Sequence, residues 1–138
     1  MEYIELSEAP LVPQKAIDQV ADDACGAIDV FIGTVRNSTQ HKSVERLEFE
    51  AYASMAKKEM RKIALLAKEK WPVKNIAMHH RHGILAIGEI AVVIAVSTPH
   101  RKASFEACQF AIDSLKESVP IWKKEVFEDG EVWVAAHP

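Results

Sequence analysis

A single α+β domain over residues 1–138 is what this sequence predicts, with a mixed or antiparallel sheet packed by about three helices and a C-terminal β-hairpin. Three observations predict it. Helix-like and strand-like hydrophobic periodicities alternate along the chain, with no linker, repeat or low-complexity segment between them. At 138 residues the chain is long enough to bury a real core and short for two domains. Apolar residues make up 49% and charged residues 27%, the balance of a globular chain rather than a disordered one.

Taken in order, residues 3–6 read as a short strand. Residues 13–25 read as a helix, because Ile17, Val20, Ala21 and Ala24 recur at spacings of three and four. Gly26 then ends it in the manner of a C-terminal glycine. Residues 27–35 are an apolar, β-branched run, expected to be a central strand. Residues 37–43 are polar and short, a loop, and residues 44–52 alternate well enough for a strand.

Residues 55–71 give the clearest helix, with a stripe of Ala56, Met60, Ile63, Ala67 and Trp71. Its opposite face carries Lys57, Lys58, Arg61, Lys62, Lys68 and Lys70 and reads as solvated; Pro72 stops it. Residues 75–85 and 89–98 are predicted strands on either side of a turn near Gly88, the second apolar on both faces and therefore central. Phe105, Cys108, Ile112, Leu115 and Val119 form the stripe of the last helix. Residues 122–136 read as a hairpin turning at Glu128-Asp129-Gly130-Glu131.

Seventeen Lys and Arg against twenty Asp and Glu give a net charge of −3, which argues against a nucleic-acid surface as the main role. The N-terminus, Met1-Glu2-Tyr3-Ile4-Glu5-Leu6, is acidic and lacks the apolar stretch of a signal peptide. The longest apolar run, residues 90–96, is far too short to span a bilayer. A cytoplasmic protein is expected. Cys25 and Cys108 both fall at apolar positions of helical patterns and read as core residues, with no spacing that suggests zinc.

The chemistry-bearing residues fall in four places. Lys116 lies in the last turns of an amphipathic helix, and Lys123 and Lys124 lie just beyond Pro120. Proline lacks an N–H and clashes with the preceding helical turn, so the chain must redirect there, and Lys116 and Lys123 are free to meet in one pocket from two elements. Lysines clamp anions, donate protons or, when desolvated, act as nucleophiles. If the segment after Pro120 is extended, Lys123 and Glu125 point one way and Lys124 the other.

In Ser97-Thr98-Pro99-His100-Arg101-Lys102 a strand runs into a helix start, with Thr98 as the expected N-cap and Pro99 at the first helical position. Free N–H groups there, with His100 and Arg101, suit an anion; the plainer reading is a turn with solvated charges. In Gly33-Thr34-Val35-Arg36-Asn37, Arg36 either forks onto a phosphate or carboxylate or marks the wet end of a strand. In His79-His80-Arg81-His82-Gly83, His80 and His82 share a strand face, but no local carboxylate or cysteine completes a metal site, so a structural histidine is the reading and no metal is expected.

Together these motifs meet a family. Gly33-x-Val35-Arg36, His80-Arg81-x-Gly83-x-Leu85-x-x-Gly88-Glu89, Ser97-x-Pro99-His100-Arg101-x-x-x-Phe105-x-Ala107, Leu115-Lys116-x-x-x-Pro120-x-Trp122-Lys123-Lys124-Glu125 and Trp133-Val134 follow one another in an order that closely resembles the large, catalytic subunit of molybdopterin synthase. The resemblance covers nearly the whole chain from Gly26 onward. Some members carry a longer basic tail where this sequence stops at Pro138.

The resemblance implies an α/β hammerhead-like fold and a sulfurtransferase of molybdenum cofactor biosynthesis. Its reaction converts cyclic pyranopterin monophosphate into molybdopterin by building the dithiolene. The sulfur arrives as a thiocarboxylate on the C-terminal Gly-Gly of a small ubiquitin-like partner, which fits a chain without a reactive cysteine. A homodimer carrying a small subunit at each end, a heterotetramer, is implied, and no cofactor. Carried onto this sequence, Lys116 and Lys123 are the catalytic residues, and Thr34, Val35, Arg36, His100, Arg101, Lys124 and Glu125 join them in binding substrate. Two rivals stand beside this: a lysine Schiff-base enzyme acting on a phosphorylated carbonyl compound, and a non-catalytic anion-binding scaffold.

Overall fold

A computed structural model describes residues 1–135, in which nine strands and three helices form two sheets. The first sheet holds β1 (Glu2–Ser7), β5 (Asn75–Arg81), β7 (Ile90–Thr98) and β2 (Ala27–Thr34), in the order β1-β5-β7-β2. Only β1 and β5 run parallel; β7 is antiparallel to both β5 and β2. Period-two alternation splits this sheet's residues between two cores. Ala77, Val93 and Ala95 face α1 (Pro13–Val20) beside Ala16 and Val20. Ile76, Met78, Ile94 and Val96 face α2 (Ala53–Lys70) and α3 (Arg101–Ser118), with Met60, Ile63, Ala111 and Leu115.

The second sheet holds β3 (Ser38–Thr39), β4 (Lys42–Ala51), β8 (Ile121–Phe127) and β9 (Val132–Ala135) in that order, and β6 (Gly83–Ala86) also pairs with β4. Phe49, Leu85 and Ile121 carry it into the larger core. Lys42 ties the start of β4 to Asp129 and Glu131 in the β8–β9 turn, where Gly130 has a φ of +88°.

Several expectations are corrected. Helix α1 ends at Val20 rather than residue 25, because Ala21 turns to ψ 135° and an Asp22 carboxylate takes the Ala24 N–H. Cys25 is accordingly off the helix and half-buried, whereas Cys108 is core. Gly26 caps nothing. It lies against Pro99, whose carbonyl oxygen accepts its N–H and stands 2.9 Å from where a Cβ would be.

Strand β2 is an edge strand, not a central one, and leaves Ile28 and Ile32 exposed. The 37–43 loop is a tight hairpin, turned by Gln40 and His41 at positive φ. The single strand expected over 75–85 breaks at Gly83, φ +102°, so β5 and β6 belong to different sheets. The N-cap of α3 is His100 rather than Thr98, whose hydroxyl donates to the His100 carbonyl at 2.6 Å. Phe105 is exposed, while Cys108, Ile112, Leu115 and Val119 are buried as their spacing predicts. Lys68 is not free on its helix face but bonds Glu2 at 2.8 Å. The hairpin's expected last residue, 136, lies outside the described residues.

Candidate active site

Between the two sheets, beside the C-terminal end of α3, lies a cavity of about 150 Å³ that opens to solvent. Residues of β2, β3, β4, β5, β7, α3 and β8 line it, and its charged groups come from the end of β2, from α3 and from β8. Strand β2 brings Thr34 and, just beyond it, Arg36. The register of β2 on β7 slips between Gly33 and Thr34, and a bulge of this kind re-aims the side chains that follow. Gly33 allows the close approach, since a Cβ there would stand 2.6 Å from a Val92 methyl.

Strand β2's far end is pinned by the 81–89 segment. The Val35 N–H donates to the Glu89 carbonyl and the Gly88 N–H donates to the Val35 carbonyl. The Glu89 carboxylate in turn accepts from the Ala86 N–H and from Arg81 at 2.6 Å. Those two donors hold the Glu89 carboxyl below its ordinary range.

Helix α3 supplies Lys116 in its last turn, where the negative end of the helix dipole favours a cation. Val119 and Pro120 then redirect the chain, and β8 returns with Lys123 and Glu125 on the cavity side. Glu125 is 7% exposed, with Lys123 Nζ at 3.3 Å and the Thr39 hydroxyl donating at 3.4 Å. Arg36, Lys116 and Lys123 against Glu125 leave a formal +3 − 1 = +2. Among the described residues, Arg36 and Lys116 are in no ion pair, so this charge faces the cavity. The floor is apolar: Phe31, Phe49, Val92, Ile112 and Leu115, with His80 set among them.

The structure brings Thr34, Arg36, Lys116, Lys123 and Glu125 together around this cavity. It does not bring all the candidates there. Val35 is buried behind the wall and works through its backbone. Lys124 lies opposite Glu48 on the other face of β8, lining a separate hollow with Glu50, Ile84 and Trp122. His100 and Arg101 are exposed at the start of α3. Fifteen residues at 1.5 Å rise separate Arg101 from Lys116, about 22 Å along one helix.

Sequence reasoning gave Thr39 no role, in what read as a loop, and read His80 as a structural histidine; both line this cavity. A second hollow, lined by Thr39, Gln40, Lys123, Glu125 and Trp133, adjoins the cavity and shares three residues with it. Neither cysteine serves here. Burial pushes the Cys108 thiol up to about 12, which removes its thiolate.

Residues 6–118 match the family described as MoaE protein. The molybdopterin synthase catalytic subunit of Halalkalibacterium halodurans is 53% identical over 129 residues, 94% of this chain and 83% of that one. The crystal structure of molybdopterin synthase from Staphylococcus aureus superposes with a TM-score of 0.91 at 42% identity, over 96% of each chain. At 24% identity the fold also matches, with a TM-score of 0.75 over 99% of this chain and 93% of that one, a chain in the complex of subunits 1 and 2 of the molybdopterin-converting factor from Helicobacter pylori.

Proposed function

Since this chain belongs to the MoaE protein family, that of molybdopterin synthase catalytic subunits, we propose that the cavity between its sheets is where sulfur passes from a partner's thiocarboxylate to cyclic pyranopterin monophosphate. The observation that carries this is the convergence of Lys116 and Lys123 on one apolar-floored cavity from the two sides of Pro120. Both reactants are anions, a phosphate ester and a thiocarboxylate, and the cavity holds +2 in a chain whose net charge is −3.

Each residue has a task. Lys116 binds the thiocarboxylate or the acyl intermediate and assists loss of the carboxylate. Lys123, steadied by Glu125 at 3.3 Å, stabilises the negative charge that develops when the thiocarboxylate is attacked or released. Arg36 offers a planar fork to the phosphate. The adjoining hollow along Thr39, Gln40 and Trp133 suits an extended peptide tail that must deliver its terminus to Lys123. The partner is a small ubiquitin-like chain ending in Gly-Gly, a reading supported by the fold shared with the two-subunit complex.

His100 and Arg101 belong to the same reaction only if a second copy of the chain brings them. One α3 cannot place both of its ends on one small molecule across about 22 Å. We therefore assign a homodimer, with a small subunit on each protomer, working in the cytoplasm. Incubating the protein with thiocarboxylated partner and the pterin precursor is expected to yield the dithiolene; no product from correctly folded wild type would contradict the proposal.

A further inference from the structure

We infer that His80 is a fixed hydrogen-bond acceptor in the floor of the cavity and reads an N–H group on the ring system of the bound pterin. This rests on the proposed function and adds a recognition residue to it. His80 sits in β5, hydrogen-bonded on both sides within the first sheet, and its ring meets the Phe49 ring edge-on at 5.3 Å and 77°.

The tautomer follows from the chemistry. Nδ1 lies 2.7 Å from the Arg81 carbonyl oxygen. That oxygen only accepts, so Nδ1 carries the proton. In a neutral imidazole the other nitrogen, Nε2, then presents a lone pair. Burial keeps the ring neutral, holding its pKa down at about 4.

The lone pair's direction follows by elimination. Among the described residues Nε2 has no hydrogen-bond partner, yet no buried side-chain nitrogen or oxygen there lacks one. Nε2 therefore opens onto free space, and the space that His80 lines is the cavity. The charged groups around it sort by role. Arg36, Lys116 and Lys123 donate only, and Glu125 accepts from Lys123 and Thr39 through one oxygen, Oε1. His80 is the neutral acceptor in the apolar floor without a protein donor, and the second oxygen of Glu125 is the anionic one.

A pterin carries donors at its ring nitrogens and exocyclic amino group, and its phosphate carries only acceptors at neutral pH. The cavity's polarity then orients the molecule, with phosphate toward the cations and an N–H edge toward His80. Metal binding is the other use of such a lone pair. Among the described residues no three His, Cys, Asp or Glu side chains gather to hold an ion.

The test is a binding cycle on the full chain, using tetrahydropterin and its ring-N-methylated analogues as probes. Wild type is expected to bind the parent about ten-fold better than the analogue that loses the recognised N–H, since an unpaired buried acceptor is costly. His80→Phe is expected to lose that preference, and His80→Gln, whose amide oxygen also accepts, to keep part of it. A steric effect of the methyl group would persist in His80→Phe, and the same preference there would overturn the inference. A readout without mutation is 15N NMR of histidine-labelled protein. The His80 Nε2 resonance is expected at the unprotonated position and to move on adding tetrahydropterin; a protonated or unmoved resonance overturns the inference. If wild type forms dithiolene while His80→Phe keeps the preference, this inference alone fails. If wild type forms none with the thiocarboxylated partner, the functional reading fails and takes this with it.

Discussion

At His80 the same burial that fixes an acceptor also makes stability depend on pH. Its pKa is lowered from 6.5 to about 4, chiefly by desolvation, with His82 adding a small push in the same direction. The unfolded chain therefore takes up this proton below pH 6.5 and the folded chain only near pH 4, so stability falls as pH drops through that window. A gap of about 2.5 units corresponds to on the order of 3 kcal/mol lost between pH 6.5 and 4, with no further loss from this group below. Urea unfolding at several pH values is expected to show a shallower pH dependence in His80→Phe than in wild type; equal slopes would place the loss on other groups. Residue-level chemistry of this kind was only partly legible. The histidine cluster was visible, but which ring would be buried depended on a break at Gly83 that sends β5 and β6 into different sheets. The cavity's cations were more legible, because lysines on either side of a proline must change direction together.

At the scale of elements, strand alternation in β8 makes the sharpest claim. Lys123 and Glu125 face the cavity while Lys124 faces the hollow beside Glu48 and Trp122. Single-turnover dithiolene formation is expected to fall by about 10²–10³ in Lys123→Ala and to change little in Lys124→Ala. The opposite ranking would mean the two faces of β8 have been exchanged. This register was readable because the period of a strand is two. What was not readable was position within a sheet. Residues 27–34 carry the composition of a central strand, and nothing local says that the first sheet stops there with Ile28 and Ile32 exposed. The end of α1 was missed for a related reason. Ala21 and Ala24 continue the apolar spacing, but an Asp22 side chain competing for a backbone N–H ends the helix first. Gly26 was recognised as special and given the wrong task, since a close approach to Pro99 is a tertiary fact.

For the whole molecule, the length of α3 bears on the proposed assembly. With Lys116 at one end and Arg101 at the other, the proposed two-fold dimer would complete each site with one end from each of two protomers, giving two such sites. Lys116→Ala and Arg101→Ala homodimers should each be inactive. When their subunits are exchanged, half the dimers are mixed and each mixed dimer has one intact site of two, so about a quarter of wild-type activity should return. No recovery on exchange would confine the site to one protomer. The family resemblance made the chemistry legible from its ordered motifs, but no motif reveals how far apart its residues lie once folded. The central claim is that Lys116 serves sulfur transfer in the cavity between the sheets. It is tested most directly by mixing thiocarboxylated partner, pterin precursor and either wild type or Lys116→Ala in a single turnover and following dithiolene formation. The account predicts product from wild type and none from Lys116→Ala, with fold and dimer intact in both; near-normal product from Lys116→Ala would contradict it.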